Sequence, residues 1–192
     1  FEVIVVNDGS TDSTKFLLEN YEGNQDNLKI LHQNNCGKGS AVQLGIKESN
    51  LSHILIQDAD LEYDPKDYFQ LINSLQSSPN VYAVYGSRIL GRIILHNSIF
   101  PFPGKHPKQG ILPWIANISI SLVIFVLYGK LITDSLTAYK LYPKSLFSDI
   151  NVRSKGFEAD HEITAKIFKA NKKIIEVPIS YYPRSRSEGK KI

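Results

Sequence analysis

Short apolar runs that end in polar, glycine-bearing turns alternate along the chain with stretches of helical spacing. Val3 to Val6 is a continuous β-branched run that breaks at Asn7-Asp8-Gly9-Ser10, predicting a buried strand entering a turn. Ser10 or Thr11 is placed to N-cap a helix through about Tyr21, with Phe16, Leu17 and Leu18 as its apolar content. Leu28 to Gln33 predicts a second strand, and Asn34-Asn35-Cys36-Gly37-Lys38-Gly39-Ser40 a glycine-rich loop opening a helix through Ala41, Val42, Leu44 and Ile46. His53 to Gln57 is the next strand. Pro65 suits the first turn of a helix through Tyr68, Leu71, Ile72 and Leu75, and Val81 to Tyr85 a further strand ending at Gly86-Ser87-Arg88. This alternation predicts an α/β domain with a mostly parallel sheet flanked by helices. Three strands end in ligand-capable loops, at Asp8, Asp58 and Arg88, and such sheets bind ligands beyond the carboxyl ends of their strands.

The middle of the chain departs from this pattern. After a Pro/Gly/Lys/His loop from Gly104 to Gln109, Ile111 to Tyr128 is strongly apolar and borders on the length of a membrane span. Three readings are open: a buried or subunit-facing helix, an interfacial helix with Trp114 near lipid headgroups, and a true span. Pro113, Asn117, Ser119 and Ser121, and the position between two halves of soluble character, weigh against the span. Beyond Asp134 a strand is expected from Ala138 to Tyr142, a helix from about Glu158 to Ala170 and an apolar run from Ile174 to Ile179. The tail, Tyr181 to Lys191, is basic and lacks apolar periodicity.

Composition narrows the classes. With 192 residues, 42% hydrophobic and 21% charged, the chain suits one domain of ordinary size, and its formal charge of +3 is too mild to suggest a nucleic-acid partner. The single cysteine, Cys36, excludes an internal disulfide framework and is expected to be a small packing residue. The first residues read as a strand rather than a basic, apolar leader, so no secretory signal is expected there. Without an initiator Met, the sequence is expected to be a piece of a longer protein.

Candidate chemistry concentrates at Gln57-Asp58-Ala59-Asp60-Leu61-Glu62. In extended backbone, alternate side chains share a face, so Asp58, Asp60 and Glu62 are expected to point the same way and to suit a hard cation. A solvated turn is the alternative. Gly37-Lys38-Gly39-Ser40 is either a helix-capping turn or a close-approach loop; it is not a Walker loop, since His32 occupies the upstream glycine position. Arg88, Arg184 and Arg186 carry forked donors suited to phosphate, or form a solvated basic surface.

Four blocks in this order resemble the family-2 glycosyltransferases of GT-A fold: Val5 to Asp12, Gly37-Lys38-Gly39, Gln57 to Glu62, and Gly156-Phe157-Glu158-Ala159-Asp160. A fifth, Val177-Pro178-Ile179-Ser180-Tyr181 with the Arg-rich tail, resembles the polyprenyl-phosphate (dolichol-phosphate mannose synthase-like) branch. The resemblance implies metal-dependent, inverting transfer of a sugar from a UDP- or GDP-sugar. It places Mg²⁺ or Mn²⁺ on Asp58 and Asp60, with Glu62 as a further ligand, and the nucleotide on Asp8, Gly37 and Lys38. Arg88, Arg184 and Arg186 fall around the donor diphosphate or a lipid phosphate, with Asp134, Glu158 and Asp160 as candidate general bases. It implies one catalytic domain over residues 1–192: a nucleotide-sugar and metal half at 1–90, an apolar segment at 91–130 and an acceptor half at 131–192. The resemblance implies that the family's first strand, expected ahead of Val3, lies outside this sequence. Expected partners are a polyprenyl phosphate, or a saccharide or protein hydroxyl, with peripheral contact at the cytoplasmic face of a membrane and oligomerisation through 111–128. A catalytically idle nucleotide-binding module is the remaining alternative.

Overall fold

The computed structural model of the chain describes residues 1–21, 26–96 and 111–184, with backbone alone at 95–96 and 111–114. The Gly104 to Gln109 loop, the Trp114 side chain, Arg186 and the rest of the basic tail lie outside what is described. The fold comprises two compact units: Phe1–Ile54 with Pro143–Lys166, and Leu55–Tyr142 with Ile167 onward.

In the first unit, β1 (Val3–Asp8) pairs in parallel with β2 (Leu28–Gln33), from Val3 opposite Leu28 to Asp8 opposite Gln33. Parallel neighbours require a crossover, and α1 (Thr14–Glu19) lies in it. The strand continues past Asn7 because that side chain is buried and bonded: its Nδ2 lies 3.2 Å from His32 Nδ1, and its Oδ1 accepts from Ser10 N at 3.0 Å. Asp12 Oδ1 likewise accepts from Thr14 N at 2.9 Å. These side-chain turns hold the backbone ahead of Thr14, so α1 starts later than the Ser10 or Thr11 cap predicts.

The glycine loop opens α2 (Lys38–Glu48) as expected. Two short helices, α6 (Leu146–Asp149) and α7 (Ala159–Lys169), bracket the loop that faces its start. Gly37 adopts φ 95°, and a Cβ there would stand 2.7 Å from Lys155 O; one on Gly39 would stand 2.7 Å from Ala159 Cβ. Lys155 O also accepts from Ser40 N at 3.0 Å, satisfying one of the open donors of the first turn of α2.

β3 (His53–Leu55) ends where the second unit begins, and in that unit β5 (Lys140–Pro143), β4 (Ala83–Ser87) and β6 (Ile174–Pro178) are successive neighbours in one sheet. β4 pairs in parallel with β6 and antiparallel with β5. It is buried at every position, as an apolar central strand should be. Asp64 Oδ1 accepts from Lys66 N at 2.9 Å and starts a 3-10 turn at Pro65 that leads into α3 (Tyr68–Ser77). α4 (Arg88–His96) follows β4 without a loop, so Arg88 is the first helical residue rather than a loop residue. α5 (Ile111–Tyr128) is the apolar segment. Tyr63, Leu71, Val84, Tyr139, Leu141 and Ile179 are among the residues that make the core.

The loop facing α2 is fastened by Glu162. Its carboxylate accepts from Arg153 N and Ser154 N at 2.8–3.1 Å and from Lys166 Nζ at 2.6 Å. Burial opposes its charge, but these donors outweigh burial and hold its pKa down at about 2. A depressed carboxylate stabilises the fold above its unfolded pKa and loses that contribution as pH falls through the folded one. Glu162→Gln should therefore cost about 1–3 kcal/mol near neutral pH. Urea midpoints across pH should show the deficit shrinking from the ordinary carboxylate range down toward about 2; a deficit independent of pH would contradict this assignment.

Candidate functional site

The acidic turn belongs to the second unit. Gln57 Oε1 accepts from Tyr68 Oη at 2.7 Å and Tyr139 Oη at 2.6 Å, which clamps the residue just ahead of Asp58. β3 has already ended at Leu55, and the chain turns through Asp58 to Leu61. Leu61 lies in the left-handed region at φ 59°, a conformation that costs a non-glycine residue about 1–2 kcal/mol. The predicted extended run with three carboxylates on one face is therefore not formed.

Instead the three acids divide. Asp58 and Asp60 are half-buried on the turn. Glu62 is buried, and its Oε2 accepts from Tyr181 Oη at 2.6 Å while its Oε1 accepts from Arg184 N at 2.9 Å. The residue expected as a further metal ligand is thus occupied in fastening the segment that carries Arg184. That segment sets Arg184 Nη2 3.7 Å from Asp60 Oδ2. Burial raises the Asp60 pKa, and the charges of Glu62 and Asp58 raise it further against the opposing Glu62 N–H and Arg184.

This donor set suits a hard cation. Among the described residues, no three His, Cys, Asp or Glu side chains converge into a cage for an ion. Mg²⁺ is ordinarily held without such a cage, by one or two carboxylates completed by substrate phosphates and water. Asp58 and Asp60, the latter pushed up first by burial and then by its neighbours' charge, fit that pattern.

Arg88 and Asp134 serve each other. Asp134 is fully buried, and Arg88 donates to it three times: from N at 3.0 Å, Nε at 2.7 Å and Nη2 at 2.8 Å. Burial works against the guanidinium charge, but Asp134 overcomes it and raises the Arg88 pKa. Glu176 completes the group, accepting from Thr133 N at 2.7 Å and Asp134 N at 2.9 Å. The expected general-base role of Asp134 and phosphate role of Arg88 give way to a structural ion pair, because each satisfies the other away from solvent.

In the first unit, Asp8 fastens its own loop. Its Oδ1 accepts from Gln33 Nε2 at 2.6 Å and Cys36 N at 2.9 Å, and its Oδ2 from Gly37 N at 2.9 Å. Burial opposes the charge, but these donors lower its pKa. Cys36, expected to be a packing residue, is exposed, and it is its backbone N–H that the loop uses. Lys38 Nζ stands 3.6 Å from Asp160 Oδ2 and 5.7 Å from the centre of the Phe157 ring. Glu158 is exposed; backbone N–H groups, including that of Gly156 at 3.1 Å, lower its pKa.

The model of glycosyl transferase family 2 matches residues 1–135. The chain belongs to that family. Glycosyltransferase AglJ of Haloferax volcanii is 26% identical over 183 residues, spanning 95% of this chain and 54% of that protein. A poly-beta-1,6-N-acetyl-D-glucosamine synthase of Staphylococcus aureus is 33% identical over 99 residues, 48% of this chain and 24% of that one. The chain thus spans about half the length of the first relative and a quarter of the second. Glucosyl-3-phosphoglycerate synthase from Mycobacterium tuberculosis, solved with Mn²⁺, UDP and phosphoglyceric acid, superposes with a TM-score of 0.63 at 15% identity, covering 97% of this chain and 62% of that one. The fold is accordingly GT-A-like, with the parallel strands and flanking helices expected.

For this family-2 chain, sequence reasoning overlooked the tyrosines that set the acidic turn, Tyr68, Tyr139 and Tyr181, and the carboxylate of Glu176. Glu176 had a signal: it is the lone charge in the apolar run Ile174 to Ile179, and a charge in a buried strand needs a partner. Removing the Asp134 charge leaves Arg88 buried without compensation, so Asp134→Ala should cost about 3–5 kcal/mol. Urea unfolding reads this directly, and a midpoint equal to that of the unmodified chain would contradict the structural role.

Proposed function

We propose that this family-2 chain forms the nucleotide-sugar-handling part of a metal-dependent, inverting glycosyltransferase whose acceptor is a polyprenyl phosphate at the cytoplasmic face of a membrane. The observation that carries the donor side is the Asp58–Asp60 turn, with Asp60 raised by burial and then by the charges of Glu62 and Asp58, and Arg184 held beside it. Asp58 and Asp60 would hold Mg²⁺ or Mn²⁺, and Arg184 would offer its fork to phosphate oxygen. When bound, the cation neutralises charge on the departing nucleotide diphosphate. The Mn²⁺ and UDP named for the M. tuberculosis synthase support a UDP-type donor, with a GDP-sugar as the other choice. Asp8 and the Gly37-Lys38 loop serve the nucleotide in this reading.

The state of the candidate carboxylates supports a phosphate acceptor. Asp134 accepts three bonds from Arg88, Asp160 stands beside Lys38, and Glu158 is held at a lowered pKa. None is poised as a strong base, as a hydroxyl acceptor would need. A phosphate oxygen is already anionic: it bonds to the anomeric carbon as the bond from that carbon to the diphosphate breaks. The acceptor named for the M. tuberculosis synthase, phosphoglyceric acid, supports a second reading with a soluble hydroxyl acceptor.

Radiolabelled sugar from UDP- or GDP-sugar should enter the organic phase only when polyprenyl phosphate and Mg²⁺ or Mn²⁺ are both supplied. Asp60→Asn should lower that transfer by about 10²-fold or more. Binding of Mn²⁺ should weaken as pH falls through the raised Asp60 pKa. Transfer at an undiminished rate without a divalent cation, or in Asp60→Asn, would contradict the donor assignment; label confined to water-soluble product would select the hydroxyl acceptor.

A further inference from the structure

Two cations have a claim on the same carboxylate. Arg184 Nη2 stands 3.7 Å from Asp60 Oδ2, and Arg184 Nε 3.5 Å from Glu62 Oε1. Both separations exceed the roughly 2.7–2.9 Å of a charge-assisted hydrogen bond. The Arg88 guanidinium, by contrast, reaches Asp134 at 2.7 and 2.8 Å. Arg184 therefore lies against the acidic turn as a neighbouring charge rather than as a bonded fork.

What is bonded closely is the backbone that carries it. Ser180 N donates to Asp67 Oδ2 at 2.7 Å, and Tyr181 forms an antiparallel bridge with Tyr63. Tyr182 N donates to Glu62 O at 2.8 Å, and Arg184 N to Glu62 Oε1 at 2.9 Å. The strap from Ser180 to Arg184 is thus laced along the chain that leaves the turn, which fixes the root of Arg184 and sets its guanidinium beside Asp60. The Arg184 and Asp60 side chains are 36% and 26% exposed, so a small ion can reach them from solvent.

A divalent cation bonded to Asp60 Oδ2 would have this guanidinium for a near neighbour, and like charges at such separations repel in a half-buried site. A nucleotide diphosphate changes the balance, because it brings negative charge of its own and its oxygens match the forked donors of arginine. We propose that Arg184 is the resting counter-cation of the Asp58–Asp60 turn and makes metal binding there conditional on a nucleotide diphosphate. Arg184 must leave Asp60 before a lone cation can bind. With the diphosphate present, Arg184 moves onto phosphate oxygen and frees the carboxylate for the ion. Metal and nucleotide then raise each other's affinity by the same factor. The inference rests on the donor reading and adds to it the residue that couples the two ligands.

Mn²⁺ binding to the full chain tests this without sugar transfer. It is read by loss of the electron paramagnetic resonance signal of free Mn²⁺, with the Mn²⁺–nucleotide complex measured alone and subtracted. The unmodified chain should bind lone Mn²⁺ weakly, and about fivefold or more tightly in saturating UDP or GDP. Arg184→Gln should keep the unfolding midpoint, bind lone Mn²⁺ about fivefold more tightly and lose most of the nucleotide effect. Arg184→Lys retains the charge without the fork; it should leave lone Mn²⁺ weakly bound and recover only part of the nucleotide effect. Unchanged affinities in Arg184→Gln, or weaker binding of lone Mn²⁺, would overturn the inference. Asp60→Asn separates this result from the donor reading. If that variant loses Mn²⁺ while Arg184→Gln changes nothing, the donor reading stands and the counter-cation fails. If it binds Mn²⁺ as the unmodified chain does, or if the unmodified chain binds none with either nucleotide, both fail.

Discussion

A guanidinium and a carboxylate taken together out of water are tolerable only when they meet closely, and in the second unit much is fastened to one such meeting. Arg88 caps the end of β4 and starts α4, and its three bonds to Asp134 fix the segment that follows α5. Glu176 on β6 holds the same segment through Thr133 and Asp134. The Arg88 guanidinium in turn lies 5.0 Å over the ring of Tyr181, whose hydroxyl donates to Glu62. Glu62 accepts from the backbone of Arg184, and Arg184 stands beside Asp60. The acidic turn is thus positioned from the core outward, through a run of charged and aromatic groups that mostly spend themselves on each other. Such a network is costly unless satisfied and specifies one arrangement when it is.

Much of this was legible in the sequence, and the physical reason is consistent. Elements announced by periodicity were found with small shifts: β1, β2, α2, α3 and β6 all lie where apolar spacing and turn residues place them. What the sequence concealed was which partner each charge would meet. Asp8, Arg88, Asp134 and Glu62 all had the residue type and the strand-end position of ligand-binding groups. The first holds its own loop and the other three are committed to neighbours far away in sequence. The one-face reading of Asp58, Asp60 and Glu62 failed for a local reason, since it assumed an extended backbone that Leu61 interrupts. The tyrosines around Gln57 were hidden because tyrosine serves core and site alike.

The apolar helix sharpens the same lesson. Composition made α5 a segment of high apolar content with several polar interruptions, and those interruptions weighed against a span. In the folded unit Asn117 faces inward to Thr133, while Ser119 is satisfied along its own helix. The polar residues are therefore what ties the helix to its unit, and its apolar residues are what it presents.

The central claim is that Asp58 and Asp60 hold a cation against a nucleotide diphosphate, while Glu62 and the Arg88–Asp134 pair only support them. Anomalous scattering from crystals grown with Mn²⁺ and UDP or GDP tests it most directly. The account predicts one manganese peak at the Asp58–Asp60 turn, bonded to at least one of those carboxylates and to phosphate oxygen, with Glu62 still on Tyr181 and Arg184. A manganese site coordinated by Glu62 or Asp134, or nucleotide bound with no metal at the turn, would contradict it.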